Sequence, residues 1–156
     1  MNILFKKILI TLGFLLFLLG CATSPKEENE MKKAEILYNI GTTKLQNGEY
    51  TQGLSSLMKA YELSPDSSKI NNNLGMAYYL KDSLPNAGKH FKKAVDIDPK
   101  NIDALNNLAS YYFRVNNITK AKDIYLKISK FIIVLAKQLQ NLKILYNRYD
   151  FIKRKY

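Results

Sequence analysis

The chain has 156 residues, of which 47% are hydrophobic and 24% charged, a balance that fits one modest globular domain and argues against a disordered chain. Its 24 Lys and Arg residues against 13 Asp and Glu residues give a net charge of +11, which attracts anionic partners without selecting one of them. The single cysteine excludes a disulfide bond within the chain.

The first 20 residues have the three-part layout of an export signal. Met1–Lys7 contains two lysines, Ile8–Leu19 is almost wholly apolar, and small residues follow. The apolar run is too short to span a bilayer, because a membrane-crossing helix needs about 20 apolar residues. We therefore predict that residues 1–20 are a signal peptide that is removed on export.

The end of this segment, Leu18-Leu19-Gly20-Cys21, resembles the lipobox of bacterial lipoproteins. The resemblance implies cleavage before Cys21, with diacylglycerol on its sulfur and an N-acyl chain on its new amino group. Several acyl chains on one residue make a durable membrane anchor, whereas a single chain binds only marginally. Ala22 stands where an inner-membrane retention signal is usually Asp, so the resemblance favours the periplasmic face of the outer membrane. No cofactor other than these lipid chains is expected.

The segment after the cysteine is polar. From Thr23 to Lys33 it offers almost no apolar side chain to bury. We expect residues 21–33 to form the lipidated end and a flexible tether, with the folded part beginning near Ala34.

The rest of the chain repeats at an interval of 34 residues. The interval relates Gly41 to Gly75, Ala60 to Ala94, Pro65 to Pro99 and Leu74 to Leu108. The second unit shows the fullest pattern, with Leu74, Gly75, Tyr78, Ala87, Phe91, Ala94 and Pro99 at fixed offsets. Period and offsets together resemble the tetratricopeptide repeat. The resemblance implies an all-α fold in which helical hairpins stack as a short right-handed superhelix, an α-solenoid, followed by a C-terminal helix.

Three units are predicted, at residues 34–67, 68–101 and 102–130. The third is degenerate, because Ile128 replaces the expected Ala and no proline follows it. Each hairpin exposes an apolar face that only the next hairpin can cover, so we expect the stack to be the folding unit. Gly75 and Ala87 are predicted where two helices cross closely, and Gly48 is predicted to end the first helix.

A binding surface follows from the resemblance, since the first helix of each hairpin lines the inner wall of such stacks. The inward residues are then Tyr38, Thr42, Leu45, Asn72, Met76, Tyr79, Asn106, Ser110 and Phe113. This mixed wall suits an extended peptide or a helix of a protein partner. Asn73 and Asn107 are predicted to bond one repeat to the next, whereas for Asn72 and Asn106 groove contact and bonding between repeats both stay open.

The C-terminal part carries an apolar stripe whose intervals alternate between four and three residues. Its members are Ala121, Tyr125, Ile128, Ile132, Leu135, Leu139, Leu142, Tyr146 and Tyr149. The stripe predicts a long amphipathic helix that includes residues 131–156 and their basic tail. The simpler interpretation is that this helix folds back to cap the open end of the stack, and the alternative is that it meets a helix of another chain.

The chain has few residues that could catalyse a reaction or bind a metal. The chain offers one histidine, His90, and neither a metal-ligand cluster nor a Gly-rich phosphate loop, so we expect no enzymatic activity and no metal. His90 follows Lys89 and is predicted to be an exposed surface residue. An exported, tethered body would rarely meet nucleic acid, so no nucleic-acid partner is expected.

Anchor and stack together resemble the pilotin-type lipoproteins that help to assemble or stabilise the outer-membrane ring of type IV pili. The resemblance implies a membrane-anchored scaffold for protein–protein interaction in the bacterial envelope. Two alternatives stay open. One is an envelope adaptor that presents cell-wall hydrolases to their regulators, and the other is a basic protein that binds anionic lipid or glycan directly.

Overall fold

A computed structural model describes residues 24–155, with Pro25 and residues 145–155 described by their backbone alone. The predicted signal peptide and Cys21 lie outside these residues. Six helices and no strand make up the described chain: α1 (Pro25–Gln46), α2 (Tyr50–Leu63), α3 (Ser68–Leu80), α4 (Leu84–Ile97), α5 (Ile102–Arg114) and α6 (Ile118–Lys155). The all-α prediction is confirmed. Between residues 24 and 155, no helix has an apolar stretch long enough to cross a membrane.

The turn inside each hairpin is built the same way. Gly48, Asp82 and Asn116 lie 34 residues apart, and their backbones have φ values of 80°, 61° and 58°. In each turn the amide of the following residue donates to the carbonyl five residues before it, at 2.8–2.9 Å. This left-handed helix end favours glycine, and Asp and Asn are among the side chains that tolerate it best. The prediction that Gly48 ends the first helix is confirmed.

The first helix begins earlier than expected. Ser24 caps it, since its hydroxyl accepts a hydrogen bond from the Glu27 amide while the Glu27 carboxylate accepts one from the Ser24 amide. Pro25 occupies the first turn, where its fixed φ suits a helix and its missing N–H costs nothing. The prediction of a flexible tether for residues 21–33 is therefore wrong from Pro25 onward, because a capped helix runs from there into the first repeat.

In each of the first two repeats, the two helices of the hairpin cross at a glycine. A Cβ atom on Gly75 would lie 2.6 Å from Cδ1 of Phe91, and Phe91 is buried with no room to move. The equivalent residue of the first repeat, Gly41, would place a Cβ 2.6 Å from Cγ of Leu57. The predicted close crossing at Gly75 is confirmed, and a hydrogen atom is the only side chain that fits there.

The core is continuous across the boundaries between repeats. Three clusters of buried side chains occur in the described residues, and each combines members of two successive repeats: Ala34 and Ala60 with Ile70, Leu57 with Leu74 and Ala77, and Ala87 and Phe91 with Leu108. Each hairpin therefore covers its apolar face with the next hairpin, as expected for a stack.

The contacts between helices give the stack an inner and an outer side. Helix α3 contacts both α1 and α5, so the first helices of the three hairpins touch one another. Helices α2 and α4 contact the first helix of their own repeat and of the next repeat, but not each other. The first helices are thus more closely spaced, and they form the inner wall of a curved body.

Helix α6 does not fold back over the end of the stack. Ala121 and Ile128 are buried in its first half, whereas the side chains from residue 132 to residue 144 are all exposed. The cap interpretation is wrong for these residues. Folding back would need a break in the helix, and the sequence from Ile118 onward contains neither Gly nor Pro to make one.

His90 is a core residue and not the exposed residue that was predicted. Only 8% of it is exposed, and its ring stacks on Tyr78 with centroids 5.6 Å apart and meets the ring of Tyr61 edge-on at 5.4 Å. The prediction failed because His90 shares a helix face with Ala87, Phe91 and Ala94, all of which are buried.

Asn71 determines which ring nitrogen of His90 carries the proton in the neutral form. The Asn71 amide nitrogen donates to the carbonyls of Pro65 and Ser67 at 2.8 and 2.9 Å, which turns its oxygen toward His90. Nδ1 of His90, 3.2 Å from that oxygen, must then be the protonated donor. Burial lowers the pKa of His90 below its ordinary value, and the nearby Lys89 ammonium lowers it further.

Replacing Gly75 by alanine is expected to lower the free energy of unfolding by about 1–3 kcal/mol, because the new methyl group overlaps a buried ring. Urea unfolding followed by circular dichroism measures the change. The matched control is Gln140→Ala on the exposed part of α6, which should change stability by less than about 0.5 kcal/mol. Equal stability of the Gly75→Ala variant and the wild type would contradict the close crossing.

Acid is expected to weaken the stack through His90. Its pKa is lower in the folded state than in the unfolded state, where it is about 6.5. Protons therefore favour the unfolded chain, so the stabilisation is complete above pH 6.5 and is lost as the pH falls toward the folded pKa. Urea unfolding at pH 7.5 and 5.5 should show a loss of stability that the His90→Gln variant lacks. The same loss in both proteins would assign the effect to other groups.

Candidate binding groove

A cleft of about 360 Å³ lies between the first helices of the three repeats. It is lined by Tyr38 of α1, by Lys69, Asn72 and Asn73 of α3, and by Asn101 and Asp103 at the start of α5. Two of the predicted inward residues, Tyr38 and Asn72, therefore meet in one place. We call the cleft and the inner wall that continues it toward the hairpin turns the groove.

Asn72 serves two purposes at once. It is 7% exposed, and its Oδ1 accepts a hydrogen bond from Nδ2 of Asn107 at 2.9 Å. Every buried side-chain nitrogen and oxygen in the described residues has a partner, and no bond donated by Nδ2 of Asn72 is found among them. This nitrogen therefore keeps some contact with solvent, and Asn72 lines the cleft. The bond between repeats thus fixes an amide group that lines the groove.

A second bond between repeats joins α1 to α3. Nδ2 of Asn73 donates to Oγ1 of Thr42 at 2.8 Å, and the Thr42 hydroxyl donates to the Tyr38 carbonyl at 2.8 Å. The predicted role of Asn73 and Asn107 as bonds between repeats is confirmed. Thr42 takes part in this bond as acceptor, so less of its bonding capacity is left for a partner.

Two predicted inward residues mainly fill the interior. Leu45 is half-buried and packs against the cluster around Leu57, where its side chain occupies the space beside Gly53. Met76 is half-buried and packs against the cluster around Phe91. Both support the floor of the groove and add little open surface.

The end of the groove near the hairpin turns combines two aromatic residues, Tyr79 and Phe113, with an ion pair. The guanidinium carbon of Arg114 lies 4.6 Å from the centroid of the Tyr79 ring, and its Nη2 bonds Oδ1 of Asp82 at 2.7 Å. Tyr79 is therefore held in place by a cation–π contact. Phe113 beside Arg114 is 65% exposed, which leaves a large apolar side chain open to a partner.

Asn106 and Ser110 form an exposed polar strip on α5 between the two ends. The Ser110 hydroxyl bonds the Asn106 carbonyl of its own helix at 2.9 Å, and the Asn106 side chain is open to solvent. From Asn106 to Phe113 the helix rises by about 10 Å, which is the length of about three residues of extended peptide.

The charged residues of the groove were missed by the sequence analysis. Glu35, Lys69 and Asp103 occupy the same position in the three repeats, 34 residues apart and one helical turn before Tyr38, Asn72 and Asn106. Lys69 and Asp103 line the cleft, and Glu35 lines a smaller cleft beside it together with Tyr38 and Lys69. Their charges alternate in sign along the stack, so this edge of the groove is electrically mixed. The 34-residue interval applied one turn earlier would have found them.

Two models of the tetratricopeptide repeat family match the chain. One matches residues 34–67 and 68–101, and the other matches residues 90–123, so that together they cover more than half of the chain. The chain belongs to the tetratricopeptide repeat family. The predicted stack of helical hairpins is confirmed, and a tetratricopeptide scaffold mediates protein–protein interaction.

Two curated proteins are similar to this tetratricopeptide protein. The uncharacterized protein Ycf37 of Porphyra purpurea is 36% identical over 74 residues, which is 47% of this chain and 43% of Ycf37. The Photosystem I assembly protein Ycf3 of Rippkaea orientalis is 30% identical over 84 residues, 52% of this chain and 49% of Ycf3. The chain thus spans about half the length of each of these relatives.

A solved tetratricopeptide domain has the same fold. The second such domain of Spaghetti (RPAP3), bound to the HSP90 peptide SRMEEVD, superposes with a TM-score of 0.62 at 16% identity, covering 65% of this chain and 94% of that domain. At this identity the likeness concerns the stacked hairpins alone.

Replacing Asn107 by alanine is expected to cost about 1–3 kcal/mol of stability, because the buried oxygen of Asn72 loses its donor. Replacing the exposed neighbour Asn106 by alanine should cost less than about 0.5 kcal/mol. In a double-mutant cycle measured by urea unfolding, the variant lacking both Asn72 and Asn107 should lose less than the sum of the two single changes. Strict additivity would show that the two amides do not interact.

Proposed function

We propose that the groove holds an extended segment of a partner protein and that the chain acts as a scaffold during assembly of a multi-subunit complex at a membrane. The observation that carries the proposal is the Asn72 amide, which is fixed by Asn107 and lines the cleft, about two helical turns from the aromatic residues Tyr79 and Phe113. A fixed amide donor suits a peptide carbonyl, and an exposed aromatic ring suits an apolar side chain.

The charges of the groove favour a partner segment that is not strongly acidic. A peptide such as SRMEEVD, which the RPAP3 domain binds, carries two Glu, a terminal Asp and a single Arg. In this chain Lys69 lies between Glu35 and Asp103 in the repeat order, and Arg114 is paired with Asp82 at the other end of the groove. An acidic segment would therefore meet two cations and three carboxylates. We infer that the segment is neutral or of mixed charge, because like charges in contact oppose binding.

An assembly role fits two independent observations. Ycf3, which resembles about half of this chain, is named for the assembly of photosystem I. The lipobox-like sequence before Cys21 would hold the scaffold at a membrane, as in the pilotin-type lipoproteins that it also resembles. The proposed clients are therefore subunits of a membrane complex, with the secretin ring of type IV pili as the specific candidate and cell-wall hydrolases as the alternative.

A photo-crosslinking amino acid at position 113 of the full chain, expressed in its own cells, is expected to capture a protein partner. The same amino acid at position 126 is the control, because Leu126 is also exposed, at 49%, but lies on α6 outside the groove. Mass spectrometry of the captured protein separates ring subunits, photosystem subunits and hydrolases. Equal capture at both positions, or none at position 113, would contradict binding in the groove.

Shortening the Phe113 side chain tests its contribution to partner binding. Phe113→Ala should weaken recovery of that partner about tenfold, as expected when an aromatic side chain anchors the partner, while Leu126→Ala should leave it unchanged. Both side chains are exposed, so neither change should alter the unfolding curve.

The anchor is tested at Cys21. When the full chain is expressed in a bacterium fed labelled fatty acid, it should incorporate the label and have an N-terminal mass that corresponds to a triacylated Cys21. Cys21→Ser should abolish both signals. Label retained by this variant, or a wild-type protein with a free thiol, would contradict lipidation while leaving the groove proposal intact.

A further inference from the structure

Helix α6 is almost three times as long as the helix that it packs against. Helix α5 has 13 residues and α6 has 38, and the two run antiparallel because a short turn joins them. Helix α5 can therefore accompany only about the first 13 residues of α6, since both rise by about 1.5 Å per residue. The rest of α6 extends beyond the described stack.

The face of α6 that packs on α5 continues onto this extension. Ala121 and Ile128 are buried, with 3% and 7% of their surface exposed. The next members of the same stripe are open to solvent, namely Ile132 at 49%, Leu135 at 43%, Leu139 at 59% and Leu142 at 60%. The alternation of four and three residues continues unchanged from the buried part to the exposed part, which is the heptad spacing of paired helices.

Two of the three charged residues from position 130 to position 144 lie away from this stripe, and the third, Lys143, flanks it. At 100° per residue, Lys130 and Lys137 point about 160–180° away from the centre of the stripe. Gln138 and Lys143 flank the stripe on its two sides. In a parallel pair of two copies, Gln138 of one helix would face Lys143 of the other, so no two like charges meet where the stripes touch. A second positively charged helix can therefore approach the stripe, although the helix as a whole is basic.

We propose that the exposed stripe of α6 pairs in parallel with the same stripe of a second copy of this chain. In heptad notation Ile132 and Leu139 are a positions, and Leu135 and Leu142 are d positions. The sequence continues this spacing with Tyr146 and Tyr149. A coiled coil of this length is short, so the pair forms at the high local concentration of a shared membrane or in a concentrated solution.

Cysteine crosslinking of the full chain in cells tests the pairing and its direction. Leu135→Cys and Leu142→Cys should each give a disulfide-linked dimer on mild oxidation, because equivalent positions face each other in a parallel pair. Ile133→Cys is the matched control, since Ile133 is equally exposed, at 54%, but lies about 140° from the centre of the stripe. Two epitope tags on co-expressed copies identify the product as a homodimer, and the wild type reports any linkage through Cys21.

The dimer should depend on the apolar seam. Leu139→Asp should reduce the crosslinked fraction at position 135 at least tenfold, whereas Ile133→Asp should leave it unchanged, and both proteins should keep the unfolding curve of the stack. The proposal is overturned by the absence of a linked dimer at positions 135 and 142, by equal linkage at position 133, or by linkage to a different protein. Linkage at only one of the two seam positions would overturn the parallel arrangement.

Discussion

Burial of each hairpin against its neighbour is the interaction on which the rest of the structure depends. All three core clusters of the described residues cross a boundary between repeats, and no cluster belongs to one hairpin alone. The polar bonds of the groove lie on the same boundaries, since Asn73 reaches Thr42 and Asn107 reaches Asn72. The geometry that fixes the Asn72 amide at the cleft is therefore a product of stacking and not of any single helix.

Each hairpin covers the apolar face of the hairpin before it, and the third described hairpin keeps exposed apolar side chains. Here the third hairpin ends in α6, which leaves the described stack with its stripe uncovered from Ile132 onward. The apolar stripe that packs on α5 in the first half of α6 thus stays exposed further along the same helix. Groove and stripe lie on different helices, so binding of a client and pairing of two copies do not compete for the same residues.

Much of this fold was predictable because the repeat fixes both spacing and role. The crossing at Gly75, the turn at Gly48 and the bonds made by Asn73 and Asn107 follow from a period that places equivalent residues in equivalent surroundings. The turns at Asp82 and Asn116 have the same positive φ and lie at the same 34-residue interval. They were not predicted, because the expected residue at such a turn is glycine. Two predictions failed because they rested on neighbouring residues in the sequence and not on the helix face. His90 follows a lysine but lies on a buried helix face, and the polar residues after Ser24 form a capped helix. The surface that remains exposed in the groove depends on which inward side chains pack into the core, as Leu45 and Met76 do. The spacing of residues in the sequence does not determine which side chains pack in this way.

The most direct test of the account is the behaviour of one hairpin alone. A peptide of residues 34–67 contains both helices of the first repeat but lacks Ile70, Leu74 and Ala77, which complete its buried clusters. Isolated helices of this length are marginal in water, so circular dichroism and amide exchange should show an unfolded peptide without a cooperative transition. A hairpin that folds cooperatively by itself, with protected amides, would contradict the claim that stacking between repeats holds the structure together.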